Sequence, residues 1–288
     1  MKNFDRRKFI KTTSLSAAFA SSSNLFSNKP RSSDQKYMGD FAAPRLDKIK
    51  IALIGVGSRG QGHVKRFGSF PNTQIVAISD LHETNISKSL SIIDNLKTSN
   101  SHINPKTYSG NKDKWRIMLK ETDADIVIIS TDWDTHGIMA IESMKNNMHA
   151  FVEVPLATTI KDLWEIVNTS EKYQKHCMMM ENVNYGREEL MFLNICRKGL
   201  LGELYHSEAA YIHDLRWQMY EEEIGTGSWR TLQYEKKKGN LYPTHGLGPV
   251  SQYMNLLRSE DTFKTLVSFS SPALGREKFA SENFNENH

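Results

Sequence analysis

The sequence predicts an α/β protein in two halves, a parallel sheet flanked by helices followed by a second α/β half on an open sheet. Three observations carry this. Short apolar runs alternate with amphipathic segments from about residue 48 to residue 180, the signature of β-α-β units. A glycine turn, Gly55-Val56-Gly57-Ser58-Arg59-Gly60, joins the first run to the first amphipathic segment. Past Glu188 the rhythm changes, and residues 204–213 alternate apolar and polar as a one-sided strand does.

Taken in order, residues 48–54 read as a compact apolar strand. The glycine turn follows, then a helix over 61–67. Residues 74–79 form a second apolar strand ending at Asp80, and 83–96 have helical spacing. Residues 115–120 read as a helix, 125–129 as a buried strand and 135–145 as a helix. A short strand at 149–152, an amphipathic helix at 160–173 and a short strand at 177–180 complete the first half. A helix over 188–198 stops at Gly199, a common C-terminal signal. Strands are expected at 204–213 and 266–270. Residues 279–288 are polar and Asn-rich and do not resemble the docked end of a domain.

Composition bounds the function. The chain has 288 residues, enough for one large or two moderate domains, with 39% hydrophobic and 24% charged residues. The formal charge is +4, and part of the excess sits in the N-terminal segment and at Lys236, Lys237 and Lys238. No basic stripe with interleaved aromatics is present, so nucleic acid is not expected as a partner. The two cysteines, Cys177 and Cys196, make no disulfide framework and read as buried thiols. No His/Cys/Asp/Glu cluster has metal spacing, and no run past the N-terminus is long and apolar enough to span a membrane.

The N-terminus reads as an address. Arg6-Arg7-Lys8-Phe9-Ile10-Lys11 is a twin-arginine pattern, a Ser/Ala-rich stretch follows, and Ala18-Phe19-Ala20 offers a small-x-small cleavage site. This fits a Tat signal over 1–20, and export to the periplasm or the extracellular space of a bacterium. Residues 21–45 read as a linker, 46–182 as a nucleotide-binding domain and 183–288 as a substrate domain.

The turn at 55–60 is G-x-G-x-x-G, set between a strand and a helix, which gives the motif its meaning. Gly55 permits the tight turn, Gly57 lets backbone approach a pyrophosphate, and Gly60 lets helix and strand pack closely. The phosphates would lie at the positive end of the helix. Asp80, 20 residues beyond Gly60, can accept from ribose hydroxyls and would repel a 2′-phosphate, so NAD is favoured over NADP. Arg59 is the one residue here that could meet such a phosphate.

From Asp125 onward the chain resembles the Gfo/Idh/MocA oxidoreductases, an N-terminal Rossmann domain followed by an α/β domain with an open, mainly antiparallel sheet. The residues that carry the likeness are Ser130-Thr131-Asp132-Trp133-Asp134-Thr135-His136, Glu153-Val154-Pro155 and Gly199-x-x-Gly202-Glu203-Leu204. In that family the Glu-x-Pro segment lies beside the nicotinamide, and its middle residue is commonly a proton-moving lysine. Val154 has no titratable group, which counts against a plain dehydrogenase. Glu153-Val154-Pro155, Met180-Glu181-Asn182-x-x-Tyr185-Gly186, Tyr211-x-His213-x-x-Arg216, Trp229-Arg230 and the run Tyr242-Pro243-Thr244-His245-Gly246-Leu247-Gly248-Pro249 together resemble glycoside hydrolase family 109.

That resemblance implies an NAD-dependent α-N-acetylgalactosaminidase acting on glycans or glycoconjugates. The sugar C3 hydroxyl is oxidised, the C2 proton becomes acidic, the aglycone leaves C1 by elimination, water adds, and C3 is reduced again. The two-carboxylate arrangement of ordinary glycosidases is not required. The resemblance places Ser58, Arg59, Asp80, Trp133, Asp134, Thr135, His136, Glu153, Val154 and Asn182 around NAD, beside Gly55, Gly57 and Gly60 of the turn. It places Tyr211, Arg230, Tyr242, Pro243, Thr244 and His245 around the sugar, with Tyr242 also touching the cofactor. His245, Tyr242 and Tyr185 are the catalytic candidates, and His245 is the better base candidate because histidine is the residue type suited to proton transfer near neutral pH. Arg230 reads either as a partner stacked on Trp229 or as a hydroxyl-binding fork.

Members of that family are longer than this chain, and the region past Glu260 that would complete the open sheet is expected to be short here. Two other readings stay open: a sugar or inositol dehydrogenase, and a nucleotide-binding protein without activity. A homo-oligomer is compatible with all three.

Overall fold

The computed structural model describes residues 34–96, 104–220, 228–237, 240, 242–257 and 261–284. The twin-arginine segment and residues 21–33 of the expected linker lie outside them.

Six strands build one sheet: β1 (Ile49–Ile54), β2 (Thr73–Ser79), β3 (Lys106–Tyr108), β4 (Ile126–Ile129), β5 (His149–Val152) and β6 (Cys177–Met179). Their order is β3-β2-β1-β4-β5-β6, every pairing is parallel, and this is the doubly wound order of dinucleotide-binding sheets. Ile51, Leu53, Ile75 and Ile78 point to one face, where Val64 of α1 (Ser58–Gly68) and Ile86 and Ile93 of α2 (Glu83–Asn95) cover them. Ala52, Ile54, Val127, Ile129, Ala150 and Val152 belong to the other face. There they meet Met118 and Leu119 of α3 (Lys114–Glu121), Met139, Ala140 and Met144 of α4 (Trp133–Lys145) and Ile166 of α5 (Ile160–Tyr173). Apolar side chains on both faces are why these strands are continuous aliphatic runs with little alternation.

Part of the expected linker is pinned to this half. The Lys36 amide donates to the Glu171 carbonyl (3.1 Å), and Phe41 packs on the His176 ring at 4.9 Å between centroids.

The second half departs from expectation. Helix α6 (Arg187–Arg197) stops at Gly199 (φ +67°), as its sequence signals. The strands expected at 204–213 and 266–270 do not form, and among the described residues no antiparallel sheet exists. Neither segment has a neighbouring strand among the described residues to receive its backbone groups, and Tyr205, Ile212, Leu266 and Phe269 are at least 90% exposed. Alternation marks a chain able to be a strand, but a ladder needs a partner to pair with. In place of a sheet stand α7 (Ser228–Lys236), α8 (Thr244–Tyr253) and α9 (Leu274–Asn283). Residues 279–284 are not wholly undocked, since Phe279 and Phe284 both pack on the Tyr220 ring.

Helix α8 holds two glycines and an internal Pro249, a poor set of helix formers. Its packing explains them. A Cβ on Gly246 would stand 2.9 Å from Ala209 Cβ, and one on Gly248 would stand 2.6 Å from Asn184 Oδ1. The glycines let α8 lie directly on the 3₁₀ turn Asn182–Tyr185, and this brings the two halves of the chain together.

Candidate active site

One cavity of ≈ 1100 Å³ runs along the carboxyl edge of the sheet, larger than a small-ligand pocket and suited to a dinucleotide with a second ligand. Its nucleotide end is built from the β1–α1 turn. Gly55 has φ +81°, and a Cβ there would meet the Ser130 carbonyl at 2.7 Å. No side chain caps α1 and no acidic residue sits in its first turn, so its first amides are left for an anion. A Cβ on Gly57 would approach nothing nearer than Asn85 Nδ2 at 4.0 Å, leaving room at that turn for a phosphate. Asp80 is locked in place by the Val56 amide (2.7 Å), the His82 amide (2.9 Å) and Asn85 Nδ2 (3.2 Å). It lines the cavity as a fixed acceptor at the end of β2. These residues fit a dinucleotide.

Glu153 is buried where β5 ends. Its Oε1 lies 2.7 Å from His63 Nε2 and 3.0 Å from Arg59 Nε. Burial alone would raise this carboxyl, but the His63 hydrogen bond, the Arg59 charge and the Val154 amide outweigh it and hold it below the usual range. A depressed folded-state pKa stabilises the fold above the ordinary glutamate value and loses that contribution as pH falls. Glu153→Gln is therefore expected to lower the thermal midpoint at pH 7. The gap from the parent should narrow below about pH 4.5, where the unfolded carboxyl protonates. Paired melting curves at both pH values check it, and a gap that does not change with pH refutes it.

The cis peptide Val154–Pro155 follows. Val154 is buried in a cluster with Trp133 and Tyr242, so the Glu-x-Pro position offers an apolar wall. His136 spans the same floor, with Nδ1 2.8 Å from the Pro155 carbonyl and Nε2 3.1 Å from that of Thr131. Burial pushes this imidazole down. The two carbonyls favour the charged ring and oppose that shift, since a neutral imidazole has one N–H and can donate to only one of them.

The far end of the cavity is aromatic. Tyr242 packs edge-on to Trp133 (5.2 Å) and stacks on His245 (5.3 Å, 14°), and Tyr211 lies 5.2 Å from the His245 ring. Burial raises the Tyr211 phenol, which keeps it a neutral hydroxyl. Arg230 meets two aromatic neighbours. Its guanidinium lies over Trp229 at 4.4 Å, and its Nε donates to the Tyr242 hydroxyl oxygen at 2.9 Å. That oxygen, accepting from Arg230, keeps its own proton to donate onward. His245 Nδ1 lies 2.6 Å from Oε1 of Glu181.

Two family patterns tile the chain. Residues 49–181 match the oxidoreductase family with an NAD-binding Rossmann fold, and residues 185–288 match the glycosyl hydrolase 109 C-terminal domain. A glycosyl hydrolase family 109 protein of Akkermansia muciniphila is 51% identical over 259 residues. Along its whole length the chain is similar to glycosyl hydrolase family 109 proteins. A Shewanella oneidensis protein named alpha-N-acetylgalactosaminidase is 48% identical over 294 residues. The alignments take in 90% and 100% of this chain but only 53% and 63% of those two relatives. A solved scyllo-inositol dehydrogenase from Lactobacillus casei superposes with a TM-score of 0.55 at 13% identity, covering 72% of this chain and 56% of that one. That likeness concerns the fold. The first half of the chain is an NAD-binding Rossmann domain.

Of the residues singled out from the sequence, Gly55, Gly57, Ser58, Arg59, Asp80, Trp133, Thr135, His136, Glu153, Val154, Asn182, Tyr211, Arg230, Tyr242 and His245 all line the cavity. The others stand apart. Tyr185 is 59% exposed at the end of the 3₁₀ turn and lines no part of the cavity, so the geometry does not join it to the other catalytic candidates. Gly60 is buried beneath the Gly55 carbonyl, and Asp134 accepts from Gln233 Nε2 at 2.7 Å beside the wall. Pro243 caps α8 and Thr244 begins it, so they position His245 through backbone. Glu181 and His63 lay unread in the sequence. Glu181 stood within a quoted motif, but nothing local pairs it with a histidine 64 residues away. Both cysteines are free, and burial pushes Cys177 up to about 12. Among the described residues no group could hold a metal ion and no helix is long and apolar enough to cross a membrane.

Proposed function

We propose that this chain hydrolyses terminal α-N-acetylgalactosamine by a redox cycle that restores its NAD. The observation that carries the reading is the single cavity in which Gly57 and Asp80 share walls with Tyr242 and His245. When bound, NAD supplies a reversible hydride acceptor for the sugar C3. Arg59 and the α1 amides hold its phosphates, Asp80 its ribose, and Trp133 and Val154 exclude water beside the sugar. The Tyr242 hydroxyl, anchored by Arg230, and the His245 imidazole handle protons at the sugar. Among the described residues the carboxylates lining the cavity are Asp80, Asp132 and Glu153, all on turns of the nucleotide half, so among them no pair straddles the sugar end as two-carboxylate hydrolysis needs. The relative named alpha-N-acetylgalactosaminidase supports the substrate class. The twin-arginine segment supports export to the periplasm or beyond, which cell fractionation of a tagged chain tests.

The expected result with an aryl α-N-acetylgalactosaminide is phenol release with no net NADH, both followed in one cuvette. NADH accumulating with a free sugar or polyol replaces the reading with a dehydrogenase. Neither signal replaces it with a nucleotide-binding protein.

A further inference from the structure

We propose that Glu181 is a positioning residue that holds His245 in its Nδ1–H tautomer and leaves Nε2 as the base at the sugar C2. The proposal rests on the hydrolase reading above and adds the residue that orients its base. Glu181 is 1% exposed and caps the 3₁₀ turn Asn182–Tyr185, its Oε1 accepting from the Val183 amide at 3.1 Å. The same oxygen lies 2.6 Å from His245 Nδ1. Oε1 already serves as an acceptor for the Val183 amide and presents an acceptor to the ring, and a neutral imidazole donating from Nδ1 carries its lone pair on Nε2. No hydrogen bond engages Nε2 among the described residues, and His245 lines the cavity.

The ring has little freedom to turn away. Tyr242 stacks on it and Tyr211 flanks it. Beneath the ring, α8 lies on the turn that Glu181 caps, with Gly248 against the Asn184 side chain. Sheet, turn and helix thus converge on one carboxylate–imidazole contact.

The step this serves balances simply. Once C3 is a ketone, Nε2 takes the C2 proton. The C2–H electron pair becomes the second bond between C1 and C2, and the aglycone oxygen leaves with the C1–O pair. The imidazolium left behind has its charge beside Glu181 Oε1. A carboxylate buried on the far nitrogen of a catalytic histidine acts this way, fixing the tautomer and stabilising the imidazolium.

The test uses the full chain with NAD bound, ¹⁵N-histidine NMR, and kinetics of aryl glycoside cleavage for the parent, Glu181→Gln and Glu181→Leu. The parent should show His245 protonated at Nδ1 and bare at Nε2. Glu181→Gln removes the charge and can turn an amide N–H toward Nδ1, which favours the wrong tautomer, so kcat should fall by about 10²–10⁴-fold. Glu181→Leu should lose the tautomer, with kcat down about 100-fold or more and KM nearly unchanged. A parent His245 carrying its proton on Nε2, or an unchanged kcat in Glu181→Gln, overturns the proposal. Should Glu181→Leu show no melting transition, Glu181→Gln decides. A parent that cleaves nothing removes the hydrolase reading, and the NMR signature still decides whether Glu181 sets the tautomer.

Discussion

His245→Ala is expected to cut aglycone release by about 10³-fold while NAD stays bound. General acid–base groups contribute about 10²–10⁴-fold, and the upper part of that range applies where the proton must leave a carbon. His245 stands at the far end of the cavity from Gly57 and Asp80, and its neighbours are Tyr242, Tyr211 and Glu181. Loss of the imidazole therefore opens space on the sugar side and removes no phosphate or ribose contact. Fluorescence titration with NAD should give nearly the parent affinity, while phenol release collapses. The variant should still form the 3-keto sugar in a single turnover, because oxidation at C3 precedes the step that His245 serves. Trapping of that ketone separates a lost base from a lost fold. Near-parental turnover would reassign the proton transfer to Tyr242, whose hydroxyl Arg230 already orients.

The legibility of this chain divides where local pattern ends. The strands of the first half are aliphatic because they are covered on both sides, and that burial is written in every residue of Ile126–Ile129 and its neighbours. Gly55, Gly57, Gly60 and Asp80 were readable because the turn chemistry needs those types at that spacing. β3 was missed because three residues, Lys106–Tyr108, carry no period at all. The helix at Thr244–Tyr253 was missed because its glycines and proline answer to Ala209 and Asn184, residues far off in sequence. The strand expected at 204–213 failed for the opposite reason, a correct local pattern with no partner among the described residues. Glu181 shows the same limit at the site, for its role exists only through a contact across 64 residues.

The two glycines of one turn should fail in different ways when given a methyl group. Gly57→Ala is expected to fold almost as the parent does. Gly57 has φ −64°, ordinary for any residue, and a Cβ there meets nothing nearer than Asn85 Nδ2 at 4.0 Å. As an uncapped helix start it loses at most about 1 kcal/mol. The methyl instead stands where a pyrophosphate must touch backbone, so NAD affinity should fall about 100-fold, roughly 2.7 kcal/mol. Gly60→Ala reverses the outcome. Its Cβ would lie 2.1 Å from the Gly55 carbonyl oxygen, which is backbone held by its own turn and unable to swing aside. Relief means parting α1 from β1, the strand at the centre of the sheet, and overpacking against backbone costs about 3 kcal/mol or more. That is a large share of the roughly 5–15 kcal/mol that holds a domain folded. Denaturant melts and NAD titrations of both variants separate the effects: a stable Gly57→Ala that no longer binds, and a Gly60→Ala that melts early. If Gly57→Ala bound NAD as the parent does, the pyrophosphate would have to lie away from this turn, and the assignment of Ser58 and Arg59 to the cofactor would fall with it.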